Sequence, residues 1–119
     1  MRIPAFFALA VLLMPVATQA KRMEPAKVEP VVYEGVQYSV PNDDGKRAYV
    51  TATDVKSGKK LYEIEIFKPK IDPGLEEDVQ WVFIKELRMD NGQLIVTVEG
   101  GLSFAVDLKT RQARALKRG

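Results

Sequence analysis

Cysteine and histidine are both absent from this 119-residue chain. Without cysteine no disulfide can brace a small domain, so sheet hydrogen bonds and core packing must supply all of its stability. The same two absences remove the usual structural zinc sites, the thiol nucleophile and the commonest general base. Charge of one sign is lacking as well: 18 Lys and Arg stand against 16 Asp and Glu, which argues against nucleic acid as a partner. No G-x-S-x-G, P-loop or dinucleotide fingerprint occurs. The chain is therefore read as non-enzymatic, with no cofactor and no metal.

Long apolar runs are equally scarce. Only Ile3 to Met14 is almost wholly apolar, and it is shorter than the ~20 residues that span a bilayer. With Arg2 before it and Thr18-Gln19-Ala20 after it, this run reads as a signal peptide at 1–20, cleaved after Ala20. The product is expected to be exported, to the periplasm or the exterior, with no membrane span after cleavage. Residues 21–30 carry two prolines and alternating charge and read as a flexible leader. Residues 31–119 are the size of one small β domain.

What the chain does contain is a dense series of turn signals between β-branched and aromatic runs. Val31–Tyr33 and Val36–Val40 flank Glu34-Gly35, and Pro41 to Gly45 follows as a further turn. From Tyr49 to Ile66 the sequence predicts a hairpin closed by Lys56, Ser57 and Gly58, a three-residue loop with a glycine bulge. Its register pairs Ala52 with Tyr62, Val50 with Ile64 and Ala48 with Ile66 on an apolar face. Thr53 with Leu61, Thr51 with Glu63 and Tyr49 with Glu65 then form a mixed, wet face. Asp54 precedes the turn and is placed to accept backbone N–H bonds from two or three residues on.

Ala52, Asp54, Ser57, Gly58 and Tyr62 follow the pattern A-x-D-x-x-[ST]-G-x-x-x-[WY], which resembles the repeat of quinoprotein-type (PQQ-like) β-propellers. Tyr62 stands where that family usually has Trp. A weaker copy lies at Ala105, Asp107 and Thr110, where Arg111 replaces the turn glycine and Ala115 the aromatic. The resemblance implies blade-like antiparallel sheets. A propeller needs roughly four or more blades of about four strands, more than this chain holds, so neither quinone binding nor dehydrogenase activity is carried over. The mature chain is otherwise similar to small exported bacterial proteins of unassigned function.

Asp72-Pro73 with Glu76, Glu77 and Asp78 predicts one or two helical turns near 73–78. Residues 79–87 fit a helical period, but the run VQWVFI favours a strand from Gln80 to Met89. Asn91-Gly92 is a type I′ hairpin signal that pairs Met89 with Leu94 and Leu87 with Val96. Glu99-Gly100-Gly101 reads as a three-residue loop pairing Val98 with Leu102, Val96 with Phe104 and Leu94 with Val106. Both turns point Leu94, Val96 and Val98 inward. Ala113–Leu116 offers a last strand before a basic end.

The acidic clusters Asn42-Asp43-Asp44 and Glu76-Glu77-Asp78 read as a turn and as capping charge. Trp81 is the only tryptophan, and a strand apolar on both faces must be covered on both. Trp81, Val82 and Ile84 are therefore the candidate interaction surface. The expected fold is mostly β, about seven antiparallel strands in two hairpin-rich groups, arranged as a sandwich, a barrel or two propeller-like blades. The expected role is an exported domain that binds an unknown protein or cell-envelope component. A small carboxylate-dependent hydrolase or inhibitor-like protein is the alternative.

Overall fold

A computed structural model describes residues 24, 25 and 27–116. The signal peptide expected at 1–20 lies outside the described residues. Among the described residues eight strands form two open four-stranded antiparallel sheets, each a simple up-and-down meander. The first contains β1 (Val31–Tyr33), β2 (Val36–Ser39), β3 (Ala48–Asp54) and β4 (Lys60–Phe67). The second contains β5 (Ile84–Asp90), β6 (Gln93–Val98), β7 (Ser103–Asp107) and β8 (Gln112–Ala115). That is one strand more than the turn signals alone suggest.

Local chemistry explains most of the register. Glu34-Gly35 and Asn91-Gly92 both have positive φ at each position, as a type I′ turn requires, and they set Tyr33 against Val36 and Met89 against Leu94. Leu87 meets Val96 across the second of these hairpins, as expected. The loop at Glu99-Gly100-Gly101 closes through Val98 N–H to the Leu102 carbonyl at 2.9 Å. It pairs Val96 with Phe104 and Leu94 with Val106, also as expected.

The β3–β4 hairpin departs from expectation in an instructive way. Ala52 with Tyr62, Val50 with Ile64, Thr51 with Glu63 and Tyr49 with Glu65 pair as read from the sequence. Val55, however, belongs to the loop. The Asp54 N–H donates to the Lys59 carbonyl at 2.9 Å, and the Gly58 N–H donates to the Asp54 carbonyl at 2.8 Å. This makes a four-residue turn, one longer than predicted, so Thr53 meets Lys60 and not Leu61. A register shift between Ala52 and Thr53 restores the expected pairing, and a second puts Ala48 opposite Phe67 instead of Ile66.

The helix expected near 73–78 is also corrected, to a single 3-10 turn at Asp78–Gln80. The cause is Gln80. Its carboxamide accepts from the Asp72 N–H at 2.7 Å and donates to the Asp72 and Glu76 carbonyls at 3.0 and 2.9 Å. Backbone groups that a helix would have paired are satisfied by one side chain instead. Asp72 does cap a turn, accepting the Gly74 N–H at 2.8 Å. Residues 81–83 are likewise not in a ladder, and the strand expected from Gln80 begins at Ile84.

One hydrophobic core joins the two sheets. Val50, Ala52 and Ile64 from the first meet Leu94, Val96, Val98 and Val106 from the second, all at most 2% exposed. The Phe67 and Phe104 rings meet across the interface with centroids 5.8 Å apart. Val28, within the stretch expected to be a flexible leader, is buried in this core.

The sheets stack in the same sense, β1 against β5 and β4 against β8, with their hairpin turns at a common end. Corresponding residues therefore point the same way along the stack. Ala52, two residues before Asp54, faces the shared core. Ala105, two residues before Asp107, alternates with the core residues Phe104 and Val106 and so faces away from it, where it and its partner Ile95 are buried on the outer side.

Candidate functional site

The turn ends of the two sheets enclose a groove of about 480 Å³. It is lined by Tyr33 and Glu34 of the β1–β2 turn, by Asn91, Gly92 and Gln93 of the β5–β6 turn, and by Asp107, Leu108 and Lys109 of the β7–β8 turn. A Cβ on Gly92 would lie 3.6 Å from the Tyr33 hydroxyl, which places that ring of the first sheet directly over a turn of the second. Three hairpins whose geometry is fixed by their own sequences thus converge on one space.

The β7–β8 turn is held from within. Asp107 Oδ1 accepts the backbone N–H groups of Lys109 and Thr110 at 2.8 and 3.3 Å, and the Asp107 carbonyl accepts that of Arg111 at 2.6 Å. Asp54 does the same for the β3–β4 turn, where its Oδ2 accepts the Ser57 N–H at 2.8 Å. Hydrogen bonds from Ser57 hold the Asp54 carboxyl below its ordinary range. The Val55 N–H donates to the Gly35 carbonyl at 3.1 Å, which fixes the β3–β4 turn to its neighbour. Asp54, Ser57 and Gly58 thus build this turn, while Ala52 and Tyr62 pair across the strands that flank it. Tyr62 adds a contact sequence reasoning did not find: the Arg111 guanidinium lies 3.6 Å above its ring centroid, and its hydroxyl meets that of Tyr38 at 3.4 Å. Burial, then the Tyr62 hydroxyl, raises the Tyr38 phenol far above its ordinary range.

By contrast, the charged groups around Arg47 on the outer face of the first sheet are paired internally. Arg47 pairs with Glu63 and Glu65 and lies 4.1 Å over the Tyr49 ring, while Lys60 also pairs with Glu63. The Tyr49 hydroxyl donates to Asp43 at 2.7 Å, and burial, then this bond, pushes its phenol up to about 12. Bonds from Lys60 and then Arg47 hold the Glu63 carboxyl low. Asn42 and Asp44 are spent too: the Asn42 carboxamide exchanges two hydrogen bonds with the Ile84 backbone at 3.0 and 3.1 Å, and Asp44 accepts the Lys46 N–H. Among the described residues no three metal-ligating side chains gather.

The residues singled out as an interaction surface have other positions. Ile84 is 1% exposed and belongs to the core, so it contributes no accessible surface. Residues 81–83 lie outside the ladder, so the two-faced strand expected there starts only at Ile84 itself. Val82 is half-buried against the core, and its N–H donates to the Gly45 carbonyl at 3.0 Å. Trp81 is half-buried. It packs edge-on to Phe83 with centroids 6.4 Å apart and donates from Nε1 to Glu77 at 3.1 Å. A Cβ on Gly45 would fall 2.3 Å from the Trp81 Cβ, so only glycine lets this ring close over the backbone. Residues 81–84, tied to Asn42 and Gly45, form a clasp between the sheets at the junction of their connecting loops.

Sequence reasoning did not single out the groove residues because each is an ordinary turn or strand residue on its own. The signal that was available is the alignment of Glu34-Gly35 with Asn91-Gly92 as matching turns. Among the described residues no helix is long and apolar enough to cross a membrane. Neither a family model, nor a curated protein, nor a solved structure matches the chain.

Proposed function

We propose that this chain is an exported, non-enzymatic β domain that binds a component of the cell envelope through its turn-end groove. The observation that carries this reading is the contrast in hydrogen-bonding capacity. Tyr33, Glu34, Asn91, Gln93 and Lys109 border one groove, yet none of their side chains makes a hydrogen bond or ion pair within the described residues. On the outer face of the first sheet, Arg47, Tyr49, Lys60, Glu63 and Glu65 are instead tied to one another or to Asp43. Convergent, unspent polar groups beside an aromatic ring are what orient a bound molecule. The signal-peptide pattern supplies the export part of the reading.

The test is sedimentation of the purified protein with isolated envelope fractions. Binding is expected for the natural protein and is expected to fall at least tenfold for the double variant Tyr33→Ala, Gln93→Ala. Equal binding by both would remove the groove as the binding face.

A further inference from the structure

We infer that the ligand of this groove is a short, uncharged oligosaccharide. The inference rests on the groove being the binding face and specifies what enters it. The space of about 480 Å³ lies within the ~300–1,000 Å³ of small-molecule sites. It is partly open to solvent at the turn ends of the two stacked sheets, so a ligand can enter it from outside. Its chemistry is that of hydroxyl recognition. Carboxamides at Asn91 and Gln93 offer both donors and acceptors, the carboxylate of Glu34 accepts, the ammonium of Lys109 donates and the Tyr33 hydroxyl does either. Vicinal sugar hydroxyls, which donate and accept at once, match such a mixed set. Tyr33, half-buried against the core, adds an aromatic side chain to the lining.

Formal charge narrows the class further. Glu34 and Asp107 against Lys109 leave the groove slightly negative, which disfavours phosphate, sulfate and polyanionic glycans. Leu108 contributes the only aliphatic side chain of the lining, too little for a lipid tail. Every hairpin bordering the space is locked by positive-φ turn residues or by the Asp107 bonds, so the backbone that carries the polar groups is held in place before a ligand arrives.

The experiment is titration of the ¹⁵N-labelled protein with a β-1,4-linked N-acetylglucosamine tetramer and, separately, a glucose tetramer. A sulfated oligosaccharide serves as the anionic control. Saturable shifts of the Tyr33, Asn91, Gly92 and Lys109 amides by a neutral tetramer are expected. Tyr33→Ala and Gln93→Ala should each weaken this binding at least tenfold while the spectrum stays folded. Displacement of the protein from envelope fractions by the same tetramer would identify an envelope glycan as the source, and tetramer binding without displacement a soluble sugar. Two results overturn the inference: no saturable shift by either neutral tetramer at ~10 mM, or binding that ignores both variants. If envelope binding still depends on Tyr33 and Gln93, the groove remains the binding face and only the sugar is wrong. If envelope binding ignores them too, both readings fall.

Discussion

The β3–β4 and β7–β8 hairpins have the same turn, but the residues at its critical position differ. In each, an Asp side chain accepts backbone N–H groups of the turn, one at Asp54 and two at Asp107, its carbonyl accepts the N–H four residues on, and that fourth residue has positive φ. It is Gly58 at +75° in the first and Arg111 at +63° in the second. A non-glycine residue there costs roughly 1–2 kcal/mol by the Cβ clash with the backbone. Arg111 recovers part of that by stacking on Tyr62 of the other sheet, worth about 0.5–1 kcal/mol where exposed. Tyr62 of the first sheet and Arg111 in the β7–β8 turn of the second therefore touch each other. A locally weaker turn has become a contact between sheets.

The strongest way to break the comparison is to remove the core the two halves share. Ile64→Ala or Leu94→Ala should each cost about 2–5 kcal/mol. Because both residues sit in one cluster, urea unfolding followed by Trp81 fluorescence and by circular dichroism should give one coincident transition in either variant. Separated transitions would show that the sheets are independent. Gly45→Ala comes next, at about 1–3 kcal/mol, since the new methyl collides with Trp81 in the clasp. The check is a lower urea midpoint together with a shifted tryptophan emission.

The turns themselves supply a finer test. Gly58→Ala should cost about 1 kcal/mol, whereas Arg111→Gly should be close to neutral, because relief of the turn offsets loss of the ring contact. In a Tyr62→Leu background the same Arg111→Gly should become stabilising. A double-mutant cycle that finds no coupling would dissolve the link between the two hairpins.

The smallest effect concerns acid. The carboxyls of Asp54 and Glu63 are both held low in the folded state, so their stabilisation is present above the ordinary carboxylate range. It is lost as pH falls through the lowered folded values. Asp54→Asn and Glu63→Gln should each flatten the decline in melting temperature between about pH 4 and pH 2. An unchanged decline would detach these two groups from acid sensitivity.

Much of the fold was legible because its rules are local. Asn91-Gly92 and Glu99-Gly100-Gly101 dictate their turns by backbone conformation, and the alternation in Leu94, Val96 and Val98 then has only one buried side. The helix near 73–78 was misread because Gln80 reaches back to Asp72 and Glu76, a side-chain solution that no periodicity signals. Trp81 to Ile84 looked like a two-faced strand and became a clasp because Asn42 and Gly45, far back in the chain, supply its hydrogen-bond partners. The groove was invisible for the same kind of reason: Tyr33, Gln93 and Lys109 become neighbours only when the sheets stack.

By itself the sequence determined most of the turns and alternation, the inward residues of the second sheet, and two aspartate-held hairpins, since φ preference and side-chain period act over a few residues. Only the tertiary structure decided that the sheets stack in the same sense, that Arg111 covers Tyr62, and that three turns frame one polar groove. Those outcomes depend on burying a shared apolar face, and the hydrophobic effect that drives such burial is non-directional and leaves no short-range mark in the chain.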